Sequence, residues 1–450
     1  MATRLAAVLL APALLVAGLL GLPAPASAAT GPALTAAQLA QVNPLVYTDG
    51  KAQRDAVAAA FPVGRTDLSA VIAAGGHATR AICHPTNLRV SVPVSGFCWN
   101  GTDDTTGNWF PQGITGSGDG MNGSVLYPPC AGCPGRKIVA VSWRSGSSHP
   151  HGANRLARVT FADVTAGTAG APYRHALLVE PDGSAEGFRE IASHADGLTW
   201  YGNKLFVFSG GDTPGLPGAD RVVRVFDLTQ LWRMNSTASG NVGCAAGVCS
   251  AAWSEFALPQ IGFYRFAAPA GCDSSLARPC FHGVSLDRSG ADHLVTVEYR
   301  QGASGGKILR WPLDASTALL KPDAGGVVRP TEGWTSPVWD MQGSAFTGGR
   351  GVLEGLCPEG MPPVSYMPDQ DGRSVVGAFR KSCLHRVSIA ADRSAIEVHV
   401  MTTAPGNAQN LSYWPGSGEL WLVNEFKGDY DNIYGSNRLV LALTCPDLAC

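Results

Sequence analysis

From Ala81 onward the chain alternates short apolar runs of about four residues with clusters of Gly, Pro, Ser, Asn and Asp. Leu88-Arg-Val-Ser-Val-Pro-Val94 places its apolar residues at every second position, the period of a half-buried strand. The preceding region has a different texture. Ala52, Val57, Ala60 and Phe61 recur at helical spacing in Lys51–Phe61, which Pro62 stops. Thr35 can cap a helix over Ala36–Gln41, and Asp67 can open another over Leu68–Ala74 that Gly75-Gly76 closes. The pattern predicts short helices to about residue 80 and strands from there on.

A phrase recurs five times within the strand-like region. It reads Gln112-Gly-Ile-Thr115, Asp196-Gly-Leu-Thr199, His282-Gly-Val-Ser285, Gln342-Gly-Ser-Ala345 and Gln409-Asn-Leu-Ser412. Each copy is followed by an apolar run: Ile138–Val141, Leu205–Phe208, Leu294–Val297, the poorer Gly351–Leu353, and Leu420–Val423. Ser142, Ser209, Glu298, Glu354 and Asn424 stand directly after these runs. A third run opens with a basic residue or Cys, and Arg158, Arg224, Arg310 and Arg386 hold its fourth place in four copies. His175–Glu180, Trp253–Leu258 and Glu397–Met401 are candidates for a fourth strand.

The phrases begin at 112, 196, 282, 342 and 409, farther apart than the roughly 40–50 residues of an ordinary propeller blade. The Gly- and Cys-bearing stretches 116–134, 235–251, 268–278 and 357–373 supply the extra length as loops. Radial repetition of four-stranded sheets fits this order of elements. The expected fold is all-β, a five-bladed β-propeller (81–450) with a short helical N-terminal extension (29–80). After the fifth copy's third run only Thr444–Cys450 remain. A strand before Gln112, within Leu88–Val94, is therefore expected to close the last blade.

Composition narrows the setting. The 450 residues are 15% charged with a net charge of −2, which gives no electrostatic reason to expect nucleic acid or an anionic membrane as partner. Arg4, the apolar stretch Leu5–Leu22 and Ala26-Ser-Ala28 have the form of a signal peptide over 1–28. A secreted, extracellular and monomeric protein is expected, with no membrane association once that segment is cleaved. Twelve cysteines in such a chain predict disulfides. Neighbour-to-neighbour pairs suit the local loops: Cys83 with Cys98, Cys130 with Cys133, Cys244 with Cys249, Cys272 with Cys280, Cys357 with Cys383, and Cys445 with Cys450. Sequence alone leaves that connectivity open.

In a propeller the phrase residues converge on one axis. Gln112, Asp196, His282, Gln342 and Gln409 form one ring, with His194, Asn424 and Glu425 beside it. Such a ring suits a small polar molecule or glycan, and it can hold calcium or another cation, although the sequence specifies no cofactor. Glu298 and Glu354 come from adjacent units and are the best carboxylate pair for acid–base work, with His282 as a third catalytic candidate. The competing expectation is that the ring's amides bond neighbouring backbone. Trp99, Trp109, Trp143, Tyr299, Tyr413 and Trp414 can make a sugar-stacking wall or fill the space between sheets. His149-Pro-His151 reads as a solvated loop. Asp369-Gln-Asp-Gly372 and Asp429-Tyr-Asp-Asn432 read as turns rather than calcium loops.

The Gln-Gly-aliphatic-Ser/Thr phrase, followed by an apolar strand ending in Ser, Asn or Glu, resembles secreted five-bladed propellers of high-GC Gram-positive bacteria. That resemblance spans about Gln112 to Thr444 and implies the fold without an activity. The Gln112-Gly-Ile and Asp196-Gly-Leu-Thr openings and the pair Asn424-Glu425 are also similar to plant-type glutaminyl cyclases, likewise five-bladed. His282 departs from that pattern, and no catalytic residue is carried over. The leading expectation is ligand binding at the axial mouth. The alternatives are an extracellular hydrolase or cyclase-like enzyme using axial carboxylates, and a protein-interaction scaffold.

Overall fold

The computed structural model describes residues 28–121, 127, 135–209, 220–268, 271–358, 382–425 and 438–450. The signal segment, Cys130, Cys133 and the two acidic turns at 369–372 and 429–432 lie outside the described residues. The described residues are mostly β, in curled and mainly antiparallel sheets arranged in propeller fashion around an axis, with one parallel ladder joining Ala176–Val179 to Phe256–Pro259.

Apolar runs bounded by turn residues become strands. Unit 1 is the meander Trp109–Gly116, Ile138–Ser145, Ala157–Asp163 and Pro172–Pro181. Unit 2 is Gly197–Tyr201, Lys204–Phe208, Arg221–Asp227 and Phe256–Phe266. Unit 3 is Phe281–Asp287, His293–Glu298, Lys307–Asp314 and Glu332–Thr335. Unit 4 is Gly343–Thr347, Arg350–Leu356, Ser382–Ile389 and Ala395–Thr403. Unit 5 is Ala408–Trp414, Glu419–Asn424 and Leu439–Thr444, completed by Val94–Cys98.

The closing strand sits later than the expected Leu88–Val94. The alternation there is real but serves side-chain packing, because Leu88, Val90 and Val92 press on the core of unit 5. They form no ladder. Pro93 has no N–H to donate, and pairing begins with Val94 opposite Leu443.

The phrases meet around the axis. A β-carbon on Gly197 would stand 2.5 Å from the His282 carbonyl, one on Gly283 2.5 Å from that of Gln342, and one on Gly343 2.5 Å from that of Gln409. Those separations are too short for any side chain, so the recurrent Gly is a requirement of close backbone approach. Unit 5 breaks the rule with Asn410, which is fully buried. Its Nδ2 donates to the carbonyls of Leu198 (3.1 Å) and Ile114 (3.4 Å), and its Oδ1 accepts from Val284 N–H at 3.0 Å. One amide thus ties units 1, 2 and 3 to unit 5 and floors the axis.

The N-terminal segment forms the three expected helices, Ala36–Gln41, Lys51–Ala60 and Leu68–Ala74, with Thr35 and Asp67 as caps. It is more than helical. Ala29–Pro32 extends the outer edge of unit 4, Leu45–Asp49 that of unit 2, and His77–Ala78 that of unit 1. The strap covers sheet edges that would otherwise be open to pairing with other chains.

Five neighbour-to-neighbour disulfides are present among the described residues: Cys83–Cys98, Cys244–Cys249, Cys272–Cys280, Cys357–Cys383 and Cys445–Cys450. Such bonds belong to oxidising compartments. Among the described residues no helix is long and apolar enough to cross a membrane.

Candidate functional site

A chain of polar contacts runs around the axial mouth above Asn410. Asp196, fully buried at the start of unit 2, faces two imidazoles: His194 Nδ1 contacts its Oδ1, and His282 Nδ1 lies 3.3 Å from the same oxygen. Gln409 Nε2 donates to Glu425 Oε2 at 3.2 Å, which turns Gln409 Oε1 toward His282 Nε2 at 3.3 Å. His282 Nε2–H thus donates to Gln409 Oε1. Glu425 also accepts from Asn407 Nδ2 at 2.6 Å and from Arg144 Nε at 3.1 Å. The contacts link units 2, 3, 5 and 1.

Charge at the mouth is set by these neighbours. Burial pushes the Glu425 carboxyl up, but Arg144, then His194, outweigh it and hold the group below its ordinary value. Burial would depress His194, yet the Asp196 carboxylate overrides it and raises the imidazole. Gln112 is fully buried and close enough to help hold Glu425 ionised. Neither its Oε1 nor its Nε2 completes a hydrogen bond of normal geometry among the described residues.

Other sequence candidates lie differently. Gln342 is half-buried in its unit's copy of the phrase. Asn424 is structural: its Oδ1 accepts from Leu439 N–H at 2.7 Å and its Nδ2 donates to the Gly406 carbonyl at 3.2 Å. Glu298 and Glu354 do not form an accessible pair. Glu298 is fully buried, and its two oxygens accept from Lys307 N–H (3.0 Å) and Cys280 N–H (3.4 Å). Glu354 is buried beside Ser382, and burial drives its carboxyl well above the ordinary value. Neither acid is among the charges acting on the other. His282 is the one catalytic candidate that reaches the mouth. Two imidazoles on one carboxylate oxygen are also a poor donor set for calcium, which takes oxygen ligands throughout.

The repeated arginines lie away from the axis. Arg158 pairs with Asp103 (2.9 Å), Arg224 with Gln260 (3.0 Å), and Arg310 with Asp287 (3.1 Å). The six aromatics share no wall. Trp99, Trp143 and Trp414 are fully buried, Tyr299 stacks near His282 at 5.2 Å, and Trp109 and Tyr413 line two separate cavities.

At the opposite end of the axis, the turn Ser117–Gly120 wedges between Trp414 and Trp200. Its Asp119 accepts from Ser412 Oγ (2.9 Å) and Thr115 Oγ1 (3.2 Å), at the edge of a cavity of about 190 Å³. Burial lifts this carboxyl to about 7 against the opposing charge of Arg288. A carboxyl raised on folding stabilises fully below its unfolded value, and that contribution is lost as pH rises through about 7. Asp119→Asn is expected to remove this loss. Relative to the parent it should gain up to roughly 4 kcal/mol between pH 4 and pH 8. Urea unfolding of both proteins across that range measures the difference, and a constant gap would refute the assignment.

Sequence reading missed a second polar constellation on the outer side of unit 1. His77, Asp103, His149, Arg158, His175 and Trp253 line a cavity of about 540 Å³ there. His149 carried a signal in the His149-Pro-His151 motif, Arg158 one in the repeated third run, and His175 and Trp253 only as the starts of candidate strands; nothing in the sequence brought them together.

No protein-family model matches the chain, and no curated protein sequence matches it. Solved structures overlap it loosely. A gluconolactonase from Xanthomonas campestris is 10% identical over 82% of this chain and 98% of its own, with a TM-score of 0.32. Pseudomonas fluorescens PhoX in complex with vanadate is 9% identical over 85% and 98%, with a TM-score of 0.34. The Dos1 propeller is 11% identical over 68% and 65%, with a TM-score of 0.26. Overlaps this loose carry no argument, and the strand pairing above stands by itself.

Proposed function

We propose that this chain is a secreted five-bladed β-propeller that binds a small polar ligand at the axial mouth, with each meander as one blade. The observation that carries this reading is the Gln112 amide, buried at the mouth with its Nε2 turned loosely to Glu425 and its Oε1 without a hydrogen bond among the described residues. A buried polar group left without partners costs about 1–3 kcal/mol. A ligand that donates a hydrogen bond to Oε1 removes that cost on binding. The paired charges beside it, Arg144 with Glu425 and His194 with Asp196, favour a ligand rich in hydroxyl or amide groups over a strong ion. Carbohydrate is the first class to test.

Gln112→Met keeps the volume and removes the amide. It is expected to melt within a few degrees of the parent and to bind glucose, mannose, galactose or N-acetylglucosamine at least ten-fold more weakly by titration calorimetry. A variant that melts several degrees lower with unchanged sugar binding would show that the amide is structural and defeat the reading.

A second reading is supported by His194. An imidazole oriented by a buried carboxylate and 22% exposed at its side chain is suited to proton transfer. If the mouth is an enzyme site, His194→Gln should abolish turnover of p-nitrophenyl glycosides and leave sugar affinity within a few-fold. Equal loss of both would assign His194 to binding.

A further inference from the structure

The outer cavity of unit 1 is polar, roomy and electrically balanced. Its floor is Arg158 and His175 from the third and fourth strands. One wall is His77 with the segment 102–109, and the roof is Ala252–Glu255 from the insertion in unit 2. Arg158 Nη2 donates to Asp103 Oδ1 at 2.9 Å, and Arg174 pairs with Glu255. Each full charge facing the cavity therefore has its counter-charge in place.

The surroundings of the imidazoles disfavour a charge on them. Burial, then His151 and Arg158, push His149 down to about 4. Burial and then Arg158 do the same to His175, to about 4. Burial also lowers His77, against the pull of Asp103. Their tautomers follow from their partners. His149 Nδ1 accepts from His151 N–H at 3.2 Å, leaving its proton on Nε2. Asn100 Oδ1 accepts from Asp103 N–H, so Asn100 Nδ2 donates to His77 Nδ1 at 2.9 Å, and that proton is again on Nε2.

A metal does not fit, although ligand atoms of His77, Asp103 and His175 lie within 4.8 Å of one another. Asp103 already accepts from Arg158, Tyr173 Oη (2.7 Å) and His175 Nε2 (3.2 Å), and His175 Nδ1 meets Thr160 Oγ1 at 2.6 Å. The Arg158 guanidinium would repel a cation at that point.

Trp253 supplies the second observation. It is 46% exposed, one of four large exposed apolar side chains among the described residues. Its φ is +63°, next to Ala252 at +45°, a backbone region that bulky residues rarely enter. The indole rests on Gly240, where a β-carbon would come within 2.4 Å of it, and His149 and His151 stand edge-on to it at 6.2 Å. A strained, exposed indole held at the rim of a polar cavity is a feature that function, rather than stability, accounts for.

We propose that this cavity is a second ligand site, specific for a neutral carbohydrate that stacks one sugar face on Trp253 and takes hydrogen bonds from His149 and His77. The alternating C–H and O–H groups of a pyranose match an aromatic face bordered by uncharged donors. The paired charges give an ionic ligand nothing to neutralise. The volume lies within the range of small-molecule sites and suits one or two sugar rings.

The test uses the full secreted chain and Trp253→Gly. Glycine takes a positive φ without strain, so this variant should melt no lower than the parent. Tryptophan emission is followed while cellobiose, maltose, N,N′-diacetylchitobiose, glucosamine and glucuronate are added. At least one neutral disaccharide should bind the parent, unaffected by chelator and with constant affinity from pH 5.5 to 8. Trp253→Gly should weaken that binding at least ten-fold, and Gln112→Met, at the other site, should leave it intact. The proposal is overturned if none of the neutral sugars binds, if glucosamine or glucuronate binds best, or if Trp253→Gly binds as well as the parent. Loss of binding in Gln112→Met with retention in Trp253→Gly would move the sugar to the axis and equally overturn it.

Discussion

Asn410→Leu is expected to destabilise the protein by about 3–6 kcal/mol, the largest effect of any single side-chain change at the axis. Leucine nearly matches asparagine in shape, so little of the loss is steric. What disappears is the amide that serves Val284 N–H and the carbonyls of Ile114 and Leu198. These three backbone groups come from three units and are sealed from solvent beneath the polar mouth. Each buried group left without a partner costs about 1–3 kcal/mol. Asn410→Gly should be milder, although it removes more atoms, because water admitted to the vacated space can bond the same groups. Guanidinium unfolding of the three proteins measures the order. A leucine variant within about 1 kcal/mol of the parent would contradict the role given to this amide.

Removal of residues up to Cys98 is expected to abolish soluble folded protein. The deletion takes away Val94–Cys98, the partner of Leu439–Thr444, and with it Phe97 and Cys98, both fully buried. The exposed edge Leu-Val-Leu-Ala-Leu-Thr is long and apolar, the kind of strand that pairs with another chain. Expression of a fragment starting at Trp99, beside the full chain, tests this by size-exclusion chromatography and thermal melting. A monomeric fragment with a cooperative transition near the parent's temperature would show that the ring closes without its N-terminal strand.

The expected helices, with caps Thr35 and Asp67, and most strands of the five meanders were legible because their signals are local. A cap hydrogen-bonds within three residues, and an apolar run needs only its own side chains to declare itself. The Gly of the repeated phrase was legible as a pattern but not as a cause. Its reason is contact with the next unit, which no local window contains. Leu88–Val94 shows the converse: it has the right period, but packs without pairing.

The candidate site was legible in part. Asp196, His282 and Gln409, from three copies of the phrase, are joined by side-chain contacts, with Glu425 bonded to Gln409. Glu298 and Glu354 do not join them, because backbone N–H groups take one carboxyl and the other is buried beside Ser382. Such competition is decided by neighbours brought in from elsewhere in the fold.

By itself, then, the sequence determined the repeated strand meanders, the N-terminal helices and the ring of polar residues that opens each repeat. These depend on spacing within one stretch of chain. Only the tertiary structure decided how each polar group is used. It placed Asn410 on three backbones, turned Gln112 loosely toward Glu425, and gathered His77, Asp103, His149, Arg158, His175 and Trp253 around one cavity. The physical reason is that a buried polar group's energy depends on what stands opposite it, and across an axis or between sheets that partner is hundreds of residues away.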